Sequence, residues 1–167
     1  YTAQGVQKEA APDYQKYVTE IFLRAMRGFD FTKEFRDVVK SAHRLLPYFA
    51  FPDGALPPVG DSQGDKKVSP LEKNGASDLV RIRGTDVVLK DLSRSGIVIA
   101  RSAADIPFPE QWMLYFTGMA YTKSHKHGDE LSFCYFNSGQ PIITDPGKYA
   151  YEYNKWRDYA LSANSHS

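Results

Sequence analysis

Apolar positions recur at helical spacing in the first fifty or so residues and at a spacing of two from about residue 79 onward. After Pro12, the residues Tyr14, Tyr17, Val18, Ile21 and Ala25 fall at i, i+3, i+4, i+7 and i+11, which predicts a one-faced helix. Asp13 is placed to cap it through its carboxylate, and Gly28 to end it. Thr32 is placed to cap a second helix whose buried stripe is Phe35, Val38, Val39, Ala42 and Leu46. Pro47 is expected to stop that helix, because it lacks an N–H and clashes with the preceding turn. The short link makes the two helices antiparallel neighbours. Two such helices enclose little core alone, so they need more protein to pack on.

Residues 51 to 77 change character. "FPDGALPPVGDSQGDKK" is dense in Pro, Gly and Asp, the residues that set turns. It reads as the passage from a helical part, 1–50, through a linker, 51–78, to a β part, 79–167. In that last part "DVVLKDL", "GIVIARS", "WMLYFTGMAY", "LSFCYF" and "PIITD" are short β-branched or aromatic runs bounded by turn residues. "NSGQ" between the last two predicts a tight hairpin turn. Helices first and antiparallel strands after them make the fold class α+β.

Composition narrows the class of partner. The chain has 167 residues, 42% hydrophobic and 25% charged, with a net charge of +1. That balance gives no general attraction to nucleic acid or to an acidic membrane surface. No apolar run approaches the roughly 18 residues a membrane helix needs. Cys134 is alone, which rules out an intrachain disulfide and fits either the cytosol or a periplasmic protein that does without one. The chain starts at Tyr1 rather than Met and its last residues, "SANSHS", carry no stop signal, so the expectation is a fragment or a processed piece. Aromatics are abundant (11 Tyr, 10 Phe, 2 Trp); such rings stack on sugars but also fill cores.

The chemistry concentrates in "SHKHGDELSF", residues 124 to 133, which holds two of the four histidines. On a strand, His125 and His127 would point to one face while Lys126 points away. Asp145 closes the last strand-like run before the Pro146-Gly147 turn, and His166 follows near the end. Two imidazoles and one carboxylate form a ligand set for zinc with a fourth position open to water. The same set can hold ferrous iron. With "NSGQ" as the turn, Asp145 sits opposite Ser132, and His127 is then about 16 Å further along an ideal strand, so the chain has to bend near Gly128. The alternative from the residues alone is a pair of exposed or internally bonded histidines at a strand entrance.

"HKHGDELSFCYFNSGQPIITDPGKYAY" followed by "WRDYALSANSHS" resembles the heparinase II/III-type family of polysaccharide lyases. "FPDGALPPVGDS" is similar to that family's link between an α-helical toroid and a β-sandwich, and "SGIVIARS" to an early sandwich strand. The resemblance implies that residues 1–50 are the last helices of the toroid and 79–167 the first part of an antiparallel sandwich. It implies cleavage of a uronic-acid polysaccharide by β-elimination, a zinc cofactor, an acidic polysaccharide or oligosaccharide as partner, and a periplasmic or secreted location. Carried over by position, His127, Asp145 and His166 match the zinc ligands and His125 matches a substrate-facing catalytic histidine. Tyr149, Tyr151 and Tyr153 can line a sugar groove, supply a proton donor or simply form a tyrosine-rich sandwich face, and Arg157 can pair with a substrate carboxylate or with Asp158 or another local acid. The sequence departs from the family pattern at Gly128, where alanine is usual, and at Ser167, where asparagine is usual. No position matches the catalytic tyrosine and the asparagine or histidine that the family's toroid supplies. Two other readings stand beside this one. One is a non-catalytic carbohydrate-binding module with a structural zinc. The other is a cupin-like metalloprotein with His-x-His on a barrel strand, against which Glu130 comes too early and Gly139 too late.

Overall fold

The computed structural model describes residues 1–9, 11–73, 75, 78–118, 125 and 127–166. Helices α1 (Pro12–Ala25) and α2 (Lys33–Phe49) come first. Strands β1 (Leu79–Ile82), β2 (Thr85–Leu92), β3 (Ile97–Ser102), β4 (Trp112–Thr117), β5 (Ser132–Asn137) and β6 (Gln140–Ile143) follow, and helix α3 (Lys155–Leu161) comes last. The strands form one sheet in the order β1-β2-β3-β4-β5-β6, each pair antiparallel. This is an α+β arrangement, as the periodicity predicts. Ser138 and Gly139 both have positive φ, 52° and 79°, the backbone of a two-residue hairpin turn whose twist matches the strands it joins. Strand β1 is an addition to the runs read from the sequence. All four of its residues are exposed, so it carries no alternation to reveal it.

The first helix differs from its expected form in three ways. Its N-cap is Ala11, with Pro12 in the first turn, where the missing N–H costs nothing. The Asp13 carboxylate instead accepts the N–H of Gln63, 50 residues away in sequence. The buried residues are Pro12, Gln15 and Thr19, while Tyr17 and Ile21 are exposed. Burial of Gln15 is possible because its amide is fully engaged. Its Nε2 donates to the Gly5 and Ala42 carbonyls, and its Oε1 accepts from the Gln7 N–H. The helix stops at Ala25, before Gly28, which is not in left-handed backbone.

The second helix has the expected cap, with Thr32 accepting the Phe35 N–H, and buries Val39, Ala42 and Leu46 as expected, together with Leu45 and Phe49. It runs past Pro47 to Phe49. The bond that Pro47 cannot make would go to the carbonyl of His43, an exposed residue that water can serve. Arg101 on β3, 1% exposed, reaches the end of this helix and donates through Nη1 to the Ala50 carbonyl at 3.1 Å and to Pro47 at 3.4 Å. A cation at a helix C-terminus also meets the favourable end of the dipole.

One hydrophobic cluster joins the two parts. Leu45, Phe49, Phe51, Leu56 and Val59 pack with Ile97, Ile99, Met113, Tyr115, Cys134 and Phe136. The opposite face of β3, β4 and β5 presents Val98, Leu114, Phe116, Phe133 and Tyr135, all half-buried. No helix is long and apolar enough to cross a membrane among the described residues. Among the described residues His125 and His127 lie outside any strand and the sheet is an open meander with β1 and β6 as its edges, so the barrel strand of the cupin-like reading has no counterpart among them.

Candidate active site

His127, Asp145 and His166 converge from three separate segments: the loop before β5, the end of the β5–β6 hairpin, and the segment after α3. Their potential ligand atoms all lie within 4.8 Å of one another. The chain bends at Gly128 as the spacing requires. There its N–H donates to the Leu161 carbonyl at 2.9 Å, and a Cβ would meet Ala163 N at 2.7 Å. That approach leaves no room for a Cβ at this position. Asp145, just beyond β6, is held by the Ser132 hydroxyl, which donates to Oδ2 at 3.1 Å, and its Oδ1 accepts the Gly147 N–H at 3.0 Å.

The His166 ring bears on whether this group suits a cation. Its Nε2 lies 3.0 Å from the Ala160 carbonyl, which can only accept, so Nε2 carries a hydrogen. Its Nδ1 lies 2.5 Å from Asp145 Oδ2. A bare nitrogen lone pair and a carboxylate oxygen repel at that distance, so a hydrogen lies between them, and a cation held by both atoms takes its place only with the pair farther apart. The outward N–H on a backbone carbonyl is the usual support of a metal-binding histidine. Buried His, Asp and His donors of this kind fit zinc.

Asp61, in the segment between α2 and β1, faces both His125 and His127. Its Oδ2 lies 2.7 Å from His125 Nδ1 and its Oδ1 lies 3.0 Å from His127 Nε2. Its backbone N–H donates to the His125 carbonyl. His125 is therefore held in a turn at φ 56°, an uncommon backbone for this residue, and not on a strand face. Burial pushes the Asp61 carboxyl up, but the hydrogen bonds from His127 and His125 outweigh it and hold the group at about 2. Asp61 is thus an anion that only accepts. Neighbouring bonds fix the linker around it: Gly60 N–H to Asp129 Oδ2, Asp13 N–H to the Ser62 hydroxyl, and Lys148 N–H to the Ser62 carbonyl.

A cavity of about 340 Å³ opens beside these groups, lined by Asp61, His125 and His127 on one side and by Lys148, Tyr149, Tyr151 and Arg157 on the other. Tyr14 of α1 stacks on His125 with ring centroids 4.1 Å apart, and its hydroxyl lies 2.8 Å from that of Tyr151. Burial first, then the bond to Tyr151, raises the Tyr14 phenol well above its ordinary value. Lys148 Nζ sits 4.2 Å over the Tyr151 ring. Tyr153 stands apart, 90% exposed, with the Arg157 guanidinium 4.6 Å over its ring, and Arg157 also pairs with Asp158 at 3.6 Å.

The structure thus brings together His125, His127, Asp145, His166, Tyr149, Tyr151 and Arg157, and leaves Tyr153 outside the cavity lining. Asp61, Tyr14 and Lys148 were not singled out by the sequence. Asp61 lies in a stretch whose composition signals only turns, and Tyr14 lies on a stripe whose spacing signals only a helix.

The heparinase II/III-like, C-terminal family matches residues 85–167. Among solved structures, a mutant of heparan sulfate lyase HepC from Pedobacter heparinus superposes with a TM-score of 0.76 at 19% identity, covering 100% of this chain and 30% of that one. A heparinase III gene product gives 0.76 at 16% identity, covering 98% and 29%. A further heparinase III structure gives 0.72 at 15%, covering 99% and 32%. This chain therefore spans about 30% of the length of the structures it resembles, and at these identities they share its fold. Among curated proteins none matches it.

Proposed function

The chain belongs, through residues 85–167, to the heparinase II/III-like family, and from that premise we propose that the protein carrying it is a polysaccharide lyase that cleaves uronic-acid chains by β-elimination. The observation that carries the reading is the stacked pair His125 and Tyr14 at a cavity lined by Lys148 and Arg157. In such a reaction a base removes the proton beside the sugar carboxylate. The electron pair forms a carbon–carbon double bond as the glycosidic C–O bond breaks, and an acid protonates the departing oxygen.

His125 supports the base role: with Nδ1 turned to Asp61, its Nε2 is the nitrogen left for substrate. Tyr14 supports the acid role, because burial and the neighbouring hydroxyl favour its neutral phenol, a donor rather than a base. The hydroxyl of Tyr151 can return the proton to Tyr14. Lys148 and Arg157 oppose the negative charge that grows on the substrate carboxylate. Zinc bound by His127, Asp145 and His166 would add fixed positive charge beside the cavity that His127 lines.

In this reading residues 1–50 are the last helices of an α-helical toroid and 79–167 the first part of a β-sandwich, and the half-buried apolar face of β3–β5 is the side on which a second sheet would pack. Because the polymer lies outside the cytoplasm, a periplasmic or secreted location goes with the reading.

The test uses the full-length protein and a panel of uronate polymers, following the near-ultraviolet absorbance of the unsaturated product. His125→Ala is expected to lower turnover by roughly 10²- to 10⁴-fold while metal content and fold are kept. No unsaturated product from the intact protein on any such polymer, with binding retained, would favour the carbohydrate-binding module instead.

A further inference from the structure

We propose that Asp61 is the positioning residue that assigns the two histidines their separate tasks, by fixing the hydrogen on Nδ1 of His125 and on Nε2 of His127. One carboxylate lies 2.7 Å from the first nitrogen and 3.0 Å from the second. An ionised carboxylate offers only lone pairs, so both ring nitrogens that face it carry hydrogen. The consequence is opposite on the two rings. On His125 it leaves Nε2 with its lone pair, the nitrogen available to the cavity. On His127 it leaves Nδ1, the nitrogen available to the Asp145–His166 group. The two histidines sit two residues apart in one loop, yet one anion from the linker orients one ring toward substrate and the other toward the metal-ligand set.

The carboxylate is well held for this. Its own N–H donates to the His125 carbonyl at 3.0 Å. Gly60 N–H on the preceding residue is bonded to buried Asp129, and the following residue, Ser62, is fully buried. The role is distinct from stabilising a charged histidine, and the isosteric change Asp61→Asn separates the two. An amide has one accepting oxygen and one donating nitrogen. With metal bound through Nδ1, His127 must keep hydrogen on Nε2 and so takes the amide oxygen. His125 is then left facing the amide NH₂, and its hydrogen must move to Nε2. The cavity nitrogen changes from acceptor to donor without any change of shape.

The catalytic part of this inference rests on the lyase reading; the tautomer part does not. The measurement is the ¹⁵N spectrum of the full-length, metal-loaded protein labelled at histidine, read beside steady-state kinetics. The wild-type protein should show His125 protonated at Nδ1 and bare at Nε2, a result that needs no variant to fold. Asp61→Asn should reverse those two signals, keep the metal, leave KM within about twofold, and lower kcat by roughly 10²- to 10⁴-fold. Asp61→Glu, which restores an anion, should recover the wild-type tautomer. A wild-type His125 bare at Nδ1, or an Asp61→Asn protein with unchanged tautomer or unchanged kcat, overturns the proposal. If neither protein makes unsaturated product but the tautomer reverses as stated, Asp61 keeps its role and the lyase reading is the one that fails.

Discussion

Gly147, two residues after Asp145, shows how single positions hold this site. Its φ is +61°, and a Cβ there would meet the Ser62 carbonyl oxygen at 2.3 Å and that of Pro58 at 2.9 Å. Backbone atoms cannot swing aside as a side-chain end can. Gly84 has a comparable φ of +85° with nothing within 4 Å. Gly84→Ala should therefore cost only the left-handed backbone term, about 1 kcal/mol. Gly147→Ala adds overpacking and should cost about 2–4 kcal/mol. Denaturant midpoints of the two variants compare them directly, and equal losses would mean that the linker yields to the new methyl group. At this scale the sequence is readable where chemistry is rare. His125, His127, Asp145 and His166 stand out because the chain has four histidines and the turn after Asp145 is distinctive. Asp61 and Tyr14 are invisible by the same logic. Aspartate is common in turns and tyrosine on helix faces, and their partners, His125 and Tyr151, lie 64 and 137 residues away from Asp61 and Tyr14.

Between elements, one polar contact ties α2 to the segment entering β1. Tyr48 donates to Asp78 Oδ2 at 2.6 Å, and Lys90 of β2 donates to the same carboxylate and lies 4.6 Å over the Tyr48 ring. Burial, then the bond to Asp78, pushes the Tyr48 phenol up to about 12. Because the folded value exceeds the unfolded one near 10, the stabilisation is fully present below pH 10 and is lost as pH rises from about 10 through about 12. Tyr48→Phe should lose about 1 kcal/mol at neutral pH and flatten that part of the alkaline stability curve; a curve unchanged by the substitution would remove Tyr48 from the effect. The elements themselves were legible to different degrees. Helix α2 and strands β3, β4 and β5 follow from periodicity because each buries one regular stripe, while β2 and β6 follow from their β-branched runs and the hairpin turn from "NSGQ". Helix α1 lies where the spacing puts it, but its buried face differs, because that face includes polar Gln15 and Thr19, made tolerable by hydrogen bonds that only the fold supplies. Pro47 does not end α2, because the bond it forfeits faces water.

Across the whole molecule, the candidate metal centre is the point where three segments distant in sequence are joined. Residues 145 to 166 contain one short helix, and several of their aromatic rings are exposed, including Tyr149, Tyr151, Tyr153, Trp156 and Tyr159. Little apolar burial holds this segment down, so its order depends on polar ties: Asp145 to Ser132 and Gly147, Lys148 N–H to Ser62, Gly128 N–H to Leu161, and His166 to Asp145. A cation shared by His127, Asp145 and His166 would close that set, and its binding free energy would then be folding free energy for this segment. Removing metal from the full-length protein with a chelator should lower the melting temperature by several degrees, an amount typical of a few kcal/mol. The loss of hydrogen-exchange protection should concentrate in 127–129 and 145–166, with the β2–β5 core unchanged. His127→Ala should reproduce the chelated state, and chelator should then add nothing further. Full metal content in His127→Ala would remove His127 from the ligand set. Protection lost evenly across the sheet would mean that the ion supports the whole core and not the segment that carries the cavity wall.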